Sequence, residues 1–219
     1  MAVAESASVR RRLPPPERRR RILAAARDVF ARAGYEGASV EALAARAGVT
    51  KPILYRHFAG KRDLYLAVLE DHFADLIRRV WVGLSASADP RERLRMSLHS
   101  YFDFVDQRPD GYRMLVEAGT RMDPDTRERL GTAWDTLAEG VARMVGDILR
   151  AAGLDPAGAP VYARALVRMA QGVADWWVLS RRMPKEALAD YLLALTWRGF
   201  DGLPRHPTPF RPEPASTSA

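Results

Sequence analysis

The chain has 219 residues, 47% hydrophobic and 28% charged, which is enough for one or two globular domains with a real core. It contains no cysteine, which excludes disulfides, thiolate metal sites and thiol nucleophiles. No apolar h-region follows the N-terminal arginines and no run of about 18 apolar residues occurs, so neither a secretory signal nor a membrane span is predicted and the expected compartment is the cytoplasm. The net charge of +7 is unevenly placed: residues 1–63 hold fourteen Lys/Arg against six Asp/Glu, residues 64–219 twenty against twenty-one. A basic segment joined to a nearly neutral body is the footprint of one part that meets a polyanion and another that meets something else.

Residues 1–16, with Arg10, Arg11 and Arg12 in a row, read as a disordered basic arm of the kind that tracks phosphates or enters a minor groove. After the prolines, Ile22, Ala25, Ala26, Val29, Phe30 and Ala33 recur at spacings of three and four and stop at Gly34, which predicts an amphipathic helix with a glycine C-cap. Ser39 is placed to cap a second helix, whose stripe of Val40, Leu43, Ala44 and Ala47 closes on Gly48. Thr50 is placed to cap a third, with Pro52 tolerated in its first turn.

In that third helix Leu54 and Phe58 lie four apart and can face inward, leaving Lys51, Pro52, Tyr55 and His57 outward or sideways. So little apolar surface does not account for a helix kept for packing alone. A short helix, a tight glycine turn and a second short helix with polar reach make a helix-turn-helix, whose second member enters a major groove. The helix N-termini at Ser39 and Thr50 present free amides suited to phosphate oxygens. His57 could instead be a partly buried histidine, Tyr55 a core aromatic, and Lys61 a solvated charge or a partner for a helix C-terminus.

The stretch "YEGASVEALAARAGVTKPILYRHFAGKRDLYLAVL", from Tyr35 to Leu69, resembles the DNA-binding region of the TetR family of bacterial transcriptional regulators. The ordered set Gly34, Ser39, Ala44, Gly48, Leu54, Tyr55, Phe58, Lys61 and Leu64 carries the resemblance. It implies that Lys51, Pro52 and Ile53 meet base edges, while Ser39, Thr50, Tyr55, His57 and Lys61 contact the phosphate backbone. Ile53 stands where small or hydroxyl-bearing residues are more usual in the family, which points to thymine methyls and leaves hydrogen-bond readout to Lys51.

Beyond Lys61 the pattern predicts helices near 61–83, 90–107, 109–118, 124–152, 158–181 and 184–202, with Pro90, Pro109, Pro124 and Pro184 at helix starts. The proline-rich residues 203–219 read as a disordered tail. The expected organisation is an arm (1–16), a helix-turn-helix domain (17–63), a helical body (64–202) and the tail. Leu94, Leu98, Tyr101, Phe102 and Val105 form one stripe, and Leu130, Trp134, Leu137, Val141, Met144 and Ile148 another. Such stripes are ordinarily core, but facing Tyr, Trp and Met can also enclose an apolar cavity. The family resemblance favours the cavity, with Tyr101, Trp134 and Met144 as its first candidates.

The last two predicted helices are apolar on two sides each, and such helices need partners on two sides. The simplest second partner is another copy, which makes an isologous homodimer matched to a palindromic operator. The candidate interface is Trp177, Leu192, Leu193, Trp197 and Phe200. His57, His72, His99 and His206 are scattered without metal-ligand spacing, and no phosphate loop or nucleophile elbow occurs. No enzyme, no metal and no cofactor are therefore expected.

The resulting expectation is an all-α protein: an N-terminal three-helix helix-turn-helix DNA-binding domain followed by a larger helical ligand-binding and dimerisation domain. Its expected partners are a double-stranded DNA operator, a second copy and a small apolar or amphipathic ligand that releases a repressor from DNA. A constitutive or architectural dimeric DNA-binding protein with no inducer is the alternative.

Overall fold

The computed structural model describes residues 14–201. The tail at 203–219 and the expected arm as far as Leu13, Arg10 to Arg12 included, lie outside the described residues, as do the side chains of Arg121, Phe200 and Asp201. The described residues form α1 (Pro15–Gly37), α2 (Val40–Ala47), α3 (Lys51–Tyr55), α4 (Lys61–Leu84), α5 (Pro90–Gln107), α6 (Pro109–Arg121), α7 (Pro124–Ala151), α8 (Ala159–Ser180) and α9 (Lys185–Asp201), with a 3-10 turn at Pro156–Gly158. No strand occurs among them. The chain divides into two compact units, one ending at His72 and the other beginning at Phe73. The division falls inside α4, whereas the sequence placed it near that helix's start.

In the first unit, α1 begins at Pro15, inside the expected arm, because prolines in a first turn forgo only amides that would have no partner. Regular helix breaks at Gly34, whose φ of 67° most side chains disfavour. Gly48 closes α2 in the left-handed conformation with φ 65°, and the Arg21 guanidinium lies over it, so a Cβ there would come within 2.6 Å of that side chain. Ile22, Ala26 and Phe30 of α1 are buried with Leu43, Ala47, Leu54, Phe58, Leu64 and Val68, each large side chain contributing about 1.5–3 kcal/mol. Phe30 meets Tyr65 edge to face at 4.9 Å, and an ion pair joins Arg27 of α1 to Asp71 of α4. These contacts hold the first half of α4 on α1, which explains why the unit extends past Lys61.

The second unit is built from residues 73–84 of α4 and from α5 to α9. Asp89 and Asp123 cap α5 and α7, accepting from the amides of Arg91 at 3.0 Å and Thr126 at 3.1 Å. The predicted stripe on α5 is buried along its whole length, and that on α7 is buried except for half-buried Trp134. Two glycines allow close crossings. A Cβ on Gly83 would lie 2.6 Å from the Ser97 backbone, and one on Gly140 would lie 2.4 Å from the Trp81 ring.

The doubled apolar faces of the last two helices resolve into an inner and an outer set. Ala163, Ala170, Ala174 and Trp177 of α8 and Leu188, Leu192 and Leu193 of α9 are buried within the unit itself. Trp177 is 3% exposed, meets Phe102 edge to face at 6.5 Å and donates its indole N–H to the Met183 carbonyl at 2.8 Å. Trp177, Leu192 and Leu193, expected at an interface with a second copy, are thus buried within the subunit. The cause is that an indole needs both an apolar bed and an acceptor, and α5 together with the turn after α8 supplies both. Trp197 is half-buried. The outward apolar residues are Val161, Trp176, Leu179, Tyr191 and Leu195.

Candidate nucleic-acid interface and body groove

Helix α3 is five residues long and buries one of them completely, Leu54; Phe58 just beyond is also buried. Lys51, Pro52 and Tyr55 are exposed, Tyr55 to 51%, while Ile53 and His57 are half-buried. The inward pair and the outward reach thus fall as the sequence placed them. Ser39 accepts from the Ala42 amide at 3.1 Å through its hydroxyl oxygen and gives its own hydrogen to the Glu41 carboxyl. Thr50 occupies the cap position of α3 but makes no side-chain cap bond, which corrects the expected role of its hydroxyl. The second residue of α3 is proline and has no amide to offer, and the third, Ile53, donates to the Thr50 carbonyl at 3.0 Å.

Two cations of this face carry local partners. Lys51 pairs with Glu41 of α2; the salt contact holds the Glu41 carboxyl below its ordinary range and lifts the Lys51 ammonium above its own. Glu41 went unnoticed in the sequence, although its place two residues after a capping serine and ten before Lys51, across one tight turn, was available to be read. Lys61 holds its ammonium 4.5 Å above the Tyr35 ring and donates to the Glu36 carbonyl at 3.5 Å. Arg56, at the C-terminal end of α3, is exposed.

The body holds two neighbouring spaces. Val80, Leu94, Leu98, Tyr101, Trp134, Leu137 and others line a small, partly open apolar cavity of about 50 Å³. Tyr101 and Trp134 thus line it; Met144 is buried and is not part of its wall. Beside it a groove of about 460 Å³ runs between α6, α7 and α8, with Arg127, Arg168, Gln171, Asp175, Thr120 and Tyr112 on its walls and Trp134 shared with the cavity. Tyr112 donates to Asp175 Oδ1 at 2.6 Å, and the Tyr101 hydroxyl lies 3.4 Å from that of Tyr112. Burial pushes both phenols above the ordinary tyrosine range.

The groove wall includes Gly119, Gly131 and Gly172, from three different helices. A Cβ added at any of them would meet nothing within 4 Å. Glycine inside a helix costs roughly 0.5–1 kcal/mol relative to alanine, and no packing contact requires it at these three positions. What the three share is the open space they leave. Among the described residues no group of three or more His, Asp or Glu is placed to hold a metal ion, and no helix is long and apolar enough to cross a membrane.

Two family descriptions match the chain: bacterial regulatory proteins of the tetR family over residues 22–68, and the tetracyclin repressor-like C-terminal domain over residues 90–199. The HTH-type transcriptional activator FasR of Mycolicibacterium smegmatis is 34% identical over 183 residues, covering 83% of this chain and 82% of that protein. A TetR-like transcriptional regulator from Rhodococcus sp. RHA1 superimposes with a TM-score of 0.68 at 26% identity, over 88% of this chain and all of that one. The regulator FadR from Bacillus subtilis in complex with stearoyl-CoA shares the fold at a TM-score of 0.69 and 18% identity, over 81% of this chain and 96% of that one.

Proposed function

The chain belongs to the TetR family of bacterial regulatory proteins, DNA-binding transcriptional regulators and not enzymes, and on that premise we propose that this member is released from its operator by a small amphipathic molecule. The observation that carries the proposal is the groove walled by three helix-interior glycines. Its volume of about 460 Å³ falls in the range of small-molecule sites. Arg127 and Arg168 suit a polar or anionic head, and Trp134 leads toward the apolar cavity, which suits a tail. That FadR was crystallised with stearoyl-CoA supports the same ligand chemistry.

DNA contact rests on α3 and its surroundings. Lys51, Pro52 and Ile53 read base edges, and Ser39, Tyr55, His57 and Lys61 hold phosphates, with Thr50 contributing its free hydroxyl. The protein works as a cytoplasmic homodimer through the outward faces of α8 and α9, where Trp176, Leu179, Tyr191 and Leu195 are exposed. Ligand and DNA favour different arrangements of the dimer, so each weakens the other's binding by linkage. Repression is the simplest sign, because occluding a promoter requires only occupancy. The name of FasR as an activator marks recruitment from an upstream operator as the other outcome. The small size of the apolar cavity, about 50 Å³, favours a second reading in which a packed body responds to no ligand.

Stearoyl-CoA and a series of shorter acyl chains titrated into the protein–operator complex test the proposal. Quenching of tryptophan emission together with loss of operator affinity supports it. Binding that leaves operator affinity unchanged contradicts release, and retention of DNA across the whole series favours the ligand-blind reading.

A further inference from the structure

Lys51 and Glu41 lie on different elements, at the first position of α3 and in the first turn of α2, and they meet as an ion pair with 49% and 63% of their side chains exposed. An exposed pair of this kind contributes little to folding. A carboxylate on a surface that approaches phosphates also costs affinity unless it has something to do there. We propose that the pair acts as one reading unit that selects a single G·C base pair in each operator half-site, the ammonium on guanine and the carboxylate on cytosine. The proposal rests on the reading that α3 lies in the major groove.

The chemistry of the edge carries it. Lys51 gives one hydrogen to Glu41 and has two left; the Glu41 carboxylate accepts from Lys51, from the Ser39 hydroxyl and from its own backbone amide, which leaves one of its roughly four lone-pair sites for a base. Side by side the pair presents donors and then an acceptor. The major-groove edge of G·C presents guanine N7 and O6, both acceptors, and then the cytosine N4 amino group, a donor. An A·T pair interposes the adenine amino donor and ends on the thymine O4 acceptor and methyl, so either the ammonium faces an amino group or the carboxylate faces a carbonyl. Reversing G·C to C·G reverses the order and mismatches both ends. Lys51 alone would choose guanine; Glu41 adds the cytosine requirement and holds the ammonium in place between binding events. Glu41 is thus a specificity-determining residue, and its repulsion of phosphates lowers affinity for DNA that lacks the matching pair.

The test starts from duplexes selected from a random pool by the full wild-type chain. At the selected G·C pair, 7-deazaguanine removes the N7 acceptor and N4-methylcytosine blocks the amino hydrogen that faces the groove. N4-methylcytosine should weaken the wild type about tenfold and leave Glu41→Ala unaffected, while 7-deazaguanine should weaken both but not Lys51→Ala. Glu41→Ala should also bind non-specific DNA more tightly. Circular dichroism checks that both exposed-site variants stay folded. If N4-methylcytosine is harmless to the wild type, or harms Glu41→Ala equally, Glu41 does not read cytosine and the proposal fails, while the 7-deazaguanine result decides the role of Lys51 separately. If neither modified base matters and Lys51→Ala keeps the wild-type preference, the placement of α3 itself is wrong.

Discussion

Tyr112 of α6 donates its hydroxyl hydrogen to Oδ1 of Asp175 of α8 at 2.6 Å, so a phenol only 2% exposed ends on a carboxylate in the groove wall. The bond fastens α6 to α8 across the space assigned to the ligand. Tyr112→Phe keeps the ring packing and removes the bond, so the unfolding free energy in urea should fall by about 1–2 kcal/mol. An unchanged midpoint would mean that Asp175 is equally well solvated in the folded and unfolded chain.

Alkaline pH should destabilise the protein through the same pair of phenols. Burial raises the ionisation of Tyr101 and Tyr112 above the ordinary tyrosine value, so above about pH 10 the native state keeps protons that the unfolded state releases. Stability is then fully present below the unfolded pKa and is lost as pH rises, by about 1.4 kcal/mol per pH unit for each tyrosine. Tyr101→Phe should flatten the slope of stability against pH between 10 and 11 relative to wild type. Parallel slopes would show that Tyr101 ionises in place.

The glycines divide into two groups with opposite expectations. Gly140 faces the Trp81 ring at a distance that leaves no room for a Cβ, so Gly140→Ala should lose about 1–3 kcal/mol by overpacking. Gly131 and Gly172 meet nothing, so alanine at either should raise thermal stability by roughly 0.5–1 kcal/mol while weakening acyl-ligand binding by filling the groove. Calorimetry and ligand titration on the same samples check both effects. Stabilised variants that bind ligand normally would remove the groove from the account.

Dimerisation through the outer faces of α8 and α9 predicts that Trp176→Glu together with Leu195→Glu gives a helical monomer in sedimentation. Both residues are exposed in the subunit, to 44% and 63%, so the change leaves the core intact. A double variant that still sediments as a dimer would place the interface elsewhere.

Much of this was legible in the sequence because it depends on local spacing. Gly34, Ser39 and Gly48 punctuate the helices by backbone rules that act over a few residues, and the Leu54 and Phe58 spacing separates the inward face of α3 from Tyr55. The prolines at 90, 109 and 124 mark helix starts directly. What was not legible depends on which of two apolar faces meets which neighbour. Trp177 and Trp176 are adjacent and equally apolar, and only the packing of Phe102 and the Met183 carbonyl decides that Trp177 turns inward. Thr50 looked like a cap, and Pro52 removes the amide it would have held. The groove was missed because three glycines scattered over more than fifty residues of sequence converge only in the folded unit, and because Tyr101 and Trp134 drew attention to the smaller apolar space beside it.

The assignment of α3 to the major groove is tested most directly by binding isotherms over a salt series, on the selected operator and on its single-position variants, for wild type, Lys51→Ala and Tyr55→Phe. Lys51→Ala should relax discrimination at one operator position by about 1–3 kcal/mol. Tyr55→Phe, which loses the neutral hydroxyl proposed to meet phosphate, should weaken operator and non-specific DNA alike and leave the salt slope nearly unchanged. Both variants keep Leu54 and Phe58 and should remain helical. If both bind every duplex as the wild type does, α3 is not in the groove, and the account of this protein as a reader of DNA through that helix is contradicted.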